Sequence, residues 1–176
     1  LYIDYSNAIT QHIVDAFQAP NSEHIFGTDQ FGRDLFARII YGGRISLGAG
    51  LATVAIAFVG GVVMGGVAGY FGGKTDAIIM RVCDMLMSIP GTMLAMAIVA
   101  ALGAGLDKLL VSLAIVKIPG SARTVRAAIM NYRNSEFTEA ARCYGTSNIR
   151  LIFKHLLPNI MGPLIVTTFM ELGTII

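Results

Sequence analysis

The sequence predicts an all-helical, polytopic transmembrane bundle, and three observations support this fold class. Hydrophobic residues make up 55% of the 176 residues, whereas charged residues make up only 14%. The mean hydropathy of +0.67 lies above the usual range for a soluble domain. Several apolar stretches are also long enough to cross a hydrocarbon core of about 30 Å. We therefore expect about four membrane spans between residues 45 and 176.

The first 44 residues are more polar, and we expect them to form an external segment with one short interfacial helix. The apolar face of this helix would consist of Leu35, Phe36, Ile39 and Ile40. Charged residues occupy its other faces, an arrangement suited to lying on a membrane surface. Because the chain begins without Met and on polar sequence, we expect it to be a fragment that lacks a preceding span.

The first span is expected at residues 45–71, a run of 27 residues without a charge. A helix of this length measures about 40 Å at 1.5 Å per residue, enough to cross the bilayer. Four glycines recur at every fourth position in and just after this run: Gly61, Gly65, Gly69 and Gly73. Such a ridge lets another helix approach closely, so we interpret it as a packing surface.

Three further spans follow, and each has an irregular feature. The second would occupy residues 85–106, kinked at Pro90 and Gly91. The third would extend the short apolar run 109–116 past Lys108 and Lys117, whose side chains would reach the interface or face protein.

The fourth span would occupy residues 160–176, and the sequence ends inside it. It contains one acid, Glu171, and an acid within a membrane is a functional candidate that faces a cavity or a partner. Near the membrane edge, the free-energy cost of this acid would be small, and the sequence leaves its role open. We expect the membrane domain, residues 45–176, to be truncated here.

A more polar loop, residues 131–157, separates the third and fourth spans and is expected to contain two short helices. The apolar stripe of the first helix would be Phe137, Ala140, Ala141 and Tyr144, at i, i+3, i+4 and i+7. Glu136 and Glu139 would point away from that stripe, and Gly145 would end the helix. Thr146 or Ser147 can then cap the second helix. The stripe of this second helix would be Ile149, Ile152, Phe153 and Leu156.

The distribution of basic residues predicts which side of the membrane this loop occupies. Nine of the 13 Lys and Arg residues fall in the first-to-second and third-to-fourth connections, and four fall on the other side. Cytoplasmic loops carry the excess of Lys and Arg, so the loop 131–157 is expected inside. Cys83 and Cys143 would share this reducing compartment, where a disulfide is not expected.

The loop carries a motif with a known parallel. Glu139-Ala140-Ala141, three residues, Gly145, nine residues and then His155-Leu156-Leu157-Pro158 resemble the cytoplasmic loop of the permease subunits of bacterial ATP-binding-cassette (ABC) importers. The general pattern has Ile where this chain has His155. His-x-x-Pro-Asn, from His155 to Asn159, is instead similar to the peptide and nickel branch.

A second resemblance lies just ahead of the first span. The pattern G-T-D-x-x-G-R-D followed by G-x-R-x-S-L looks like the signature of permeases for dipeptides, oligopeptides and nickel. Its matching positions here are Gly27, Thr28, Asp29, Gly32, Arg33, Asp34 and Arg44. The two resemblances together cover most of the chain, with the spans in the expected order.

The resemblance implies a type I permease subunit in a bacterial inner membrane that imports dipeptides or oligopeptides. It implies three partners: a homologous second permease, cytoplasmic ATPase subunits and an extracytoplasmic substrate-binding protein. The residues implied to couple to the ATPase are Glu136, Phe137, Glu139, Ala140, Ala141, Tyr144, Gly145 and Pro158. A nickel importer of the same branch is the alternative substrate class, and a passive channel or membrane-embedded enzyme is a more distant alternative.

Nothing in the sequence predicts a cofactor, metal or nucleic-acid site, or catalysis, on this chain. The stretch from Gly69 to Thr75 looks like a phosphate-binding loop, but Ala68 occupies the position that requires glycine. ATP is therefore expected on partner subunits. His12, His24 and His155 lie far apart and have no second ligand at helical spacing. The absence of a catalytic motif or of charged pore rings disfavours an enzyme or a channel.

Overall fold

The computed structural model describes residues 5–175, and within them every regular element is a helix. The predicted all-helical class is confirmed. The chain divides into two compact units, Leu1–Ala49 and Gly50–Ile176. The separate roles predicted for an external segment, residues 1–44, and a membrane domain, residues 45–176, stay predictions. Residues 1–4 and 176 of those ranges lie outside the described residues.

The first unit contains a short helix α1 (Tyr5–Ile9), a 3₁₀ turn (Ile13–Asp15), an extended loop and the start of helix α2 (Leu35–Phe71). The separate interfacial helix predicted at residues 35–40 was wrong, because these residues form the first turns of the 37-residue α2. Gly42 and Gly43 do not interrupt it. Each costs only about 1 kcal/mol relative to Ala in a helix, less than breaking the backbone hydrogen bonds of a long apolar helix.

The predicted second span is also corrected. Helix α3 (Gly73–Met87) and helix α4 (Gly91–Leu102) meet at 90° across Ser88, Ile89 and Pro90. Proline lacks an N–H and restricts the residue before it to extended conformations, so one helix cannot run through this point undisturbed. The 12 residues of α4 extend about 18 Å, too short to cross a bilayer alone.

Helix α5 (Leu106–Arg133) contains the predicted third span but continues well beyond it. Next come α6 (Glu136–Cys143), α7 (Asn148–Leu151), a π-helical segment (Ile152–Leu156) and α8 (Leu157–Ile175). Residues 148–175 therefore form one helical stretch.

Two helical stretches in the described part of the chain, Leu35–Phe71 and Asn148–Ile175, are long and apolar enough to cross a bilayer. The bent pair α3–α4 would make a third, against about four spans expected. The difference lies in α5. Its charged residues, among them Arg123, Arg126 and Arg133, lower its hydropathy below that of a lipid-facing helix.

The second unit is organised around a close crossing of α2 and α5. A Cβ added at Gly61 would lie 2.5 Å from the Ser121 Cβ, and one at Gly69 would lie 2.9 Å from the Arg126 carbonyl oxygen. A Cβ at Gly65 would overlap the Ala122 carbonyl oxygen. Gly73 differs from these three, because it begins α3 with open space around it.

Helix α3 is tied to the same α5 by two ion pairs, Asp76 with Arg126 and Asp84 with Arg123. The Asp76 carboxylate accepts from two nitrogens of the Arg126 guanidinium, a bidentate arrangement that fixes orientation as well as charge. The four side chains of these two ion pairs thus face one another between α3 and α5.

The glycine crossing yields a test with an internal control. Gly65→Ala should lower the free energy of unfolding by about 1–3 kcal/mol, because the added methyl forces α2 and α5 apart. Gly66→Ala should be neutral or slightly stabilising, since its nearest neighbour would be Ile129 Cδ1 at 3.8 Å and Ala favours the helix. Thermal unfolding of the purified protein in detergent measures both. Equal effects of the two substitutions would contradict the close crossing.

Candidate functional site

Two side-chain hydroxyls at the connection between α5 and α6 bond to the same backbone carbonyl, that of Tyr132. The Tyr132 oxygen accepts a hydrogen bond from the Ser135 hydroxyl at 2.7 Å and from the Thr138 hydroxyl at 2.9 Å. Ser135 precedes α6, but its hydroxyl points back to α5 instead of capping the new helix. Thr138 is fully buried. Its burial was not predicted, because a threonine outside the apolar stripe carries no local signal of burial.

Gly145 ends the first short helix in a conformation that favours glycine. Its φ is +73°, in the left-handed region. The Thr146 N–H donates to the Ala141 oxygen at 3.2 Å, and the Gly145 N–H donates to the Arg142 oxygen at 2.9 Å. These two bonds form the Schellman arrangement that satisfies the last carbonyls of a helix. A Cβ at position 145 would meet nothing within 4 Å, so the constraint is on the backbone alone.

Neither of the two predicted apolar stripes of the loop is buried along its whole length. In α6, Ala141 packs against the core, whereas Phe137 is 38% exposed and Tyr144 is 90% exposed. Ala140, Glu136 and Glu139 are exposed as well. Of the predicted apolar stripe of Phe137, Ala140, Ala141 and Tyr144, only Ala141 therefore meets the core of this unit. The fully buried side chain of α6 is that of Thr138, which bonds to the Tyr132 carbonyl oxygen.

The second predicted stripe divides in the same way. Ile152 and Leu156 are buried, whereas Ile149 is 71% exposed and Phe153 is 59% exposed. The loop thus presents four large apolar side chains to its surroundings. We call this set the exposed loop face, and it consists of Phe137, Tyr144, Ile149 and Phe153.

The π-helical segment has an identifiable cause in Pro158. This exposed proline is the second residue of α8, where it has no N–H to donate and where its ring would clash with the carbonyl four residues earlier. The wider π turn just before it, with the Leu157 N–H bonded to the Ile152 oxygen, accommodates the proline. The Asn159 side chain donates to the His155 oxygen at 2.7 Å, which joins the two branch-specific positions.

Tyr70, near the end of α2, anchors the loop to the rest of the unit. Its hydroxyl donates to the Asn148 side-chain oxygen at 2.7 Å, and the Arg142 guanidinium lies 5.6 Å from its ring centre. Tyr70 also belongs to the buried core, together with Val125, Ile129, Leu151, Ile152, Leu156, Leu157, Ile160 and Leu164. The loop therefore packs on the ends of both α2 and α5. This role of Tyr70 was not predicted, because its partner Asn148 lies 78 residues away in the sequence.

The stretch that looks like a phosphate-binding loop is a junction between two helices. Gly72 and Gly73 have φ of 64° and 55° and separate α2 from α3. A helix precedes the glycines, where a phosphate-binding loop would follow a strand. The Arg133 guanidinium lies beside Gly72, and its Nη1 lies 3.5 Å from the Tyr70 carbonyl oxygen.

In the first unit, the branch signature builds a tightly bonded loop around the Asp29 carboxylate. This carboxylate accepts from the Phe31 N–H at 2.8 Å, the Arg33 N–H at 3.1 Å and the Arg33 Nε at 2.8 Å, and it also pairs with Arg38. Removal from water raises the pKa of Asp29, but the bonds and charge of Arg33 outweigh this and lower it from 3.8 to about 2. Asp29 is thus ionised at neutral pH.

Four other signature residues shape this loop through their backbone conformation or their hydrogen bonds. Gly27 and Gly32 have φ of 71° and 70°, and a Cβ at either would overlap a backbone carbonyl oxygen. The buried Thr28 hydroxyl accepts from the Gln18 N–H at 2.9 Å. Asp34 accepts from the Ala37 N–H at 2.8 Å at the start of α2 and from His24 Nδ1 at 2.8 Å. Arg44, by contrast, is exposed on α2 outside this loop.

Within residues 5–175, no group of three or more His, Cys, Asp or Glu side chains is arranged to hold a metal ion. His24 is engaged with Asp34, and His155 lies in the second unit. Cys83 is buried and Cys143 is exposed, and the two are not joined.

Comparison with known proteins places this chain among transport components. A family model described as "Binding-protein-dependent transport system inner membrane component" matches residues 61–176. The chain is 45% identical over 159 residues to the dipeptide transport system permease protein DppC of Alkalihalophilus pseudofirmus, covering 90% of this chain and 52% of that protein.

This chain is also similar to two other peptide transport permeases. The chain is 43% identical over 157 residues to the probable D,D-dipeptide transport system permease protein DdpC of Escherichia coli, covering 89% of this chain and 53% of the relative. It is 35% identical over 173 residues to the oligopeptide transport system permease protein OppC of Bacillus subtilis, covering 98% of this chain and 56% of that protein. The chain spans about half the length of the curated relatives it matches. These relatives are permeases, which agrees with the prediction that the chain is not an enzyme.

The Tyr70 anchor can be tested with a matched pair of substitutions. Tyr70→Phe should speed amide hydrogen exchange at residues 142–151 about fivefold, because it removes one hydrogen bond of about 1 kcal/mol and keeps the ring under Arg142. Tyr132→Phe is the control, since its hydroxyl has no hydrogen-bond partner among the described residues. Unchanged exchange in Tyr70→Phe would show that the core alone holds the loop.

Proposed function

Because this chain belongs to the family of binding-protein-dependent transport system inner membrane components, we propose that it is a membrane-spanning permease subunit of an ATP-driven importer for dipeptides or oligopeptides. The subunit would work in a bacterial inner membrane with three partners. These are a homologous second permease, cytoplasmic ATPase subunits that bind ATP, and an extracytoplasmic substrate-binding protein.

The observation that carries the proposal is the exposed loop face. Its four apolar side chains lie in the most polar connection of the second unit, next to the exposed acids Glu136 and Glu139. Large exposed apolar side chains beside charged ones are typical of a protein interaction site. A cytoplasmic ATPase subunit is the partner that the family supplies on this side of the membrane.

The anchoring contacts support a coupling role for this loop. The loop is held to α2 by the Tyr70–Asn148 hydrogen bond and to α5 by the shared core around Ile129. A force applied to α6 by closing ATPase subunits would therefore reach the ends of both long helices. In the proposed cycle, this rigid-body movement shifts the spans between inward-open and outward-open arrangements.

Peptides are favoured over nickel as the transported substrate. The relatives described above are named for dipeptide, D,D-dipeptide and oligopeptide transport. A passive channel is the remaining rival, and it would not require a docking loop. Dependence of uptake on ATP therefore separates the proposal from this rival.

Gly145→Val should uncouple ATP hydrolysis from transport, because a β-branched residue at φ +73° strains the turn by about 1–3 kcal/mol. We expect peptide uptake per ATP hydrolysed to fall at least fivefold in vesicles that contain the whole complex. Gly145→Asn is the matched control, since Asn tolerates the left-handed region and nothing lies within 4 Å of the new Cβ. It should retain more than half of the wild-type coupling.

Glu139→Lys provides a second variant in the same assay. Glu139 lies in the first turn of α6, where a negative charge is worth about 0.3–1 kcal/mol, and charge reversal would also repel a basic partner. Glu139→Gln should have a smaller effect. Normal ATP-dependent uptake by both Gly145→Val and Glu139→Lys would show that this loop is not the coupling element.

Orientation in the membrane is testable with the exposed Cys143. An impermeant thiol reagent should label Cys143 only from the cytoplasmic side of sealed vesicles, because the excess of basic residues favours an inside position for its loop. The buried Cys83 is first replaced by Ser. A cysteine at the exposed Asn21, in a background without Cys143, should be labelled only from the opposite side. Labelling of both positions from one face would overturn the topology.

A further inference from the structure

An open cavity of about 590 Å³ lies between the α3–α4 bend, α5 and α8. It is remote from the exposed loop face. Lys117 on its wall precedes the end of α5 by 16 residues, or about 24 Å of helix, and Glu171 follows the start of α8 by 14 residues, or about 21 Å. If the loop lies on the cytoplasmic side, the cavity lies toward the opposite face, where a binding protein would deliver substrate.

The wall of this cavity combines apolar surface with two opposite charges. Leu113 and Val116 contribute apolar surface, and Thr92 contributes a hydroxyl. Lys117 donates to the Thr174 hydroxyl at 3.1 Å. Among the side chains that the structure describes, the Glu171 carboxylate forms no ion pair and has no hydrogen-bond partner. A charge inside a membrane domain is costly, and its retention is typical of a functional site.

We propose that this cavity binds the two termini of a short peptide, with Glu171 receiving the N-terminal ammonium and Lys117 receiving the C-terminal carboxylate. The inference rests on the proposed function, because it assumes that the complex imports peptides. The volume lies within the roughly 300–1,000 Å³ of small-molecule sites. An extended dipeptide is at most about 7 Å long, so both of its ends fit within one cavity of this size.

This arrangement also accounts for how one site could accept many sequences. The two terminal charges are common to all short unmodified peptides, whereas the side chains differ. Charged groups that recognise the termini fix the orientation, and the apolar wall accepts different side chains without specific contacts. Selectivity would then be for a free zwitterionic backbone.

The test uses cysteine protection in the complete reconstituted complex, with dialanine as the probe. Cys83 and Cys143 are replaced by Ser, and Thr92→Cys places a thiol on the exposed cavity wall. During ATP-driven turnover with binding protein, dialanine should slow alkylation of this thiol at least threefold. Thr168→Cys, which lines a separate pocket between α2 and α8, should show no protection.

Charge variants then identify the contacts. Glu171→Gln and Lys117→Met should each abolish the protection and lower dialanine uptake at least tenfold. Lys108→Met, which removes another lysine of α5 away from the cavity, should leave both unchanged. The double variant Glu171→Gln with Lys117→Met should be no better than the worse single variant. Recovery of uptake in the double variant would show that the two charges only neutralise each other, and would overturn the site.

The remaining outcomes separate this inference from the proposed function. Normal dialanine uptake by both single charge variants, or normal uptake without protection at Thr92→Cys, would overturn the cavity site and leave peptide import intact. Failure of the wild-type complex to take up dialanine while it hydrolyses ATP would overturn peptide import, and the cavity site with it.

Discussion

The close approach of α2 and α5 is the constraint on which the rest of the second unit depends. Gly61, Gly65 and Gly69 bring the two backbones so near that an added Cβ would collide. In a membrane, where lipid tails are as apolar as leucine, such close contact is a main source of helix association. The crossing fixes the ends of both helices, and the core beneath the loop forms between those ends.

Proline and charge shape what surrounds this crossing. Pro90 breaks what would otherwise be a continuous apolar helix and creates the bend that lines the large cavity. Two arginines of α5, Arg123 and Arg126, pair with Asp84 and Asp76 of α3, so these charges are matched within the unit.

Local signals in the sequence were sufficient for the fold class, the apolar run 45–71 within α2, and the glycine that ends the first short helix at Gly145. These depend on neighbouring residues: apolar runs, glycine spacing and caps. Three features depended on packing between elements and were not predictable in this way. Thr138 is buried by a carbonyl of the preceding helix, Tyr70 meets Asn148 across 78 residues, and the exposed faces of α6 follow from which side meets the core. The separate interfacial helix was wrong because the amphipathic residues 35–40 continue without a break into the apolar run of α2.

The π-helical segment sets the rotational phase between the loop and α8. Each residue of an α-helix turns the chain by about 100° and advances it by 1.5 Å, so the extra residue held in residues 152–156 determines which way every side chain of α8 faces. Inserting or deleting one residue between Gly145 and Pro158 would change this phase and turn Glu171 about 100° away from its cavity. The nine-residue spacing after Gly145 therefore fixes how the loop 131–157 is aligned with the cavity end of α8.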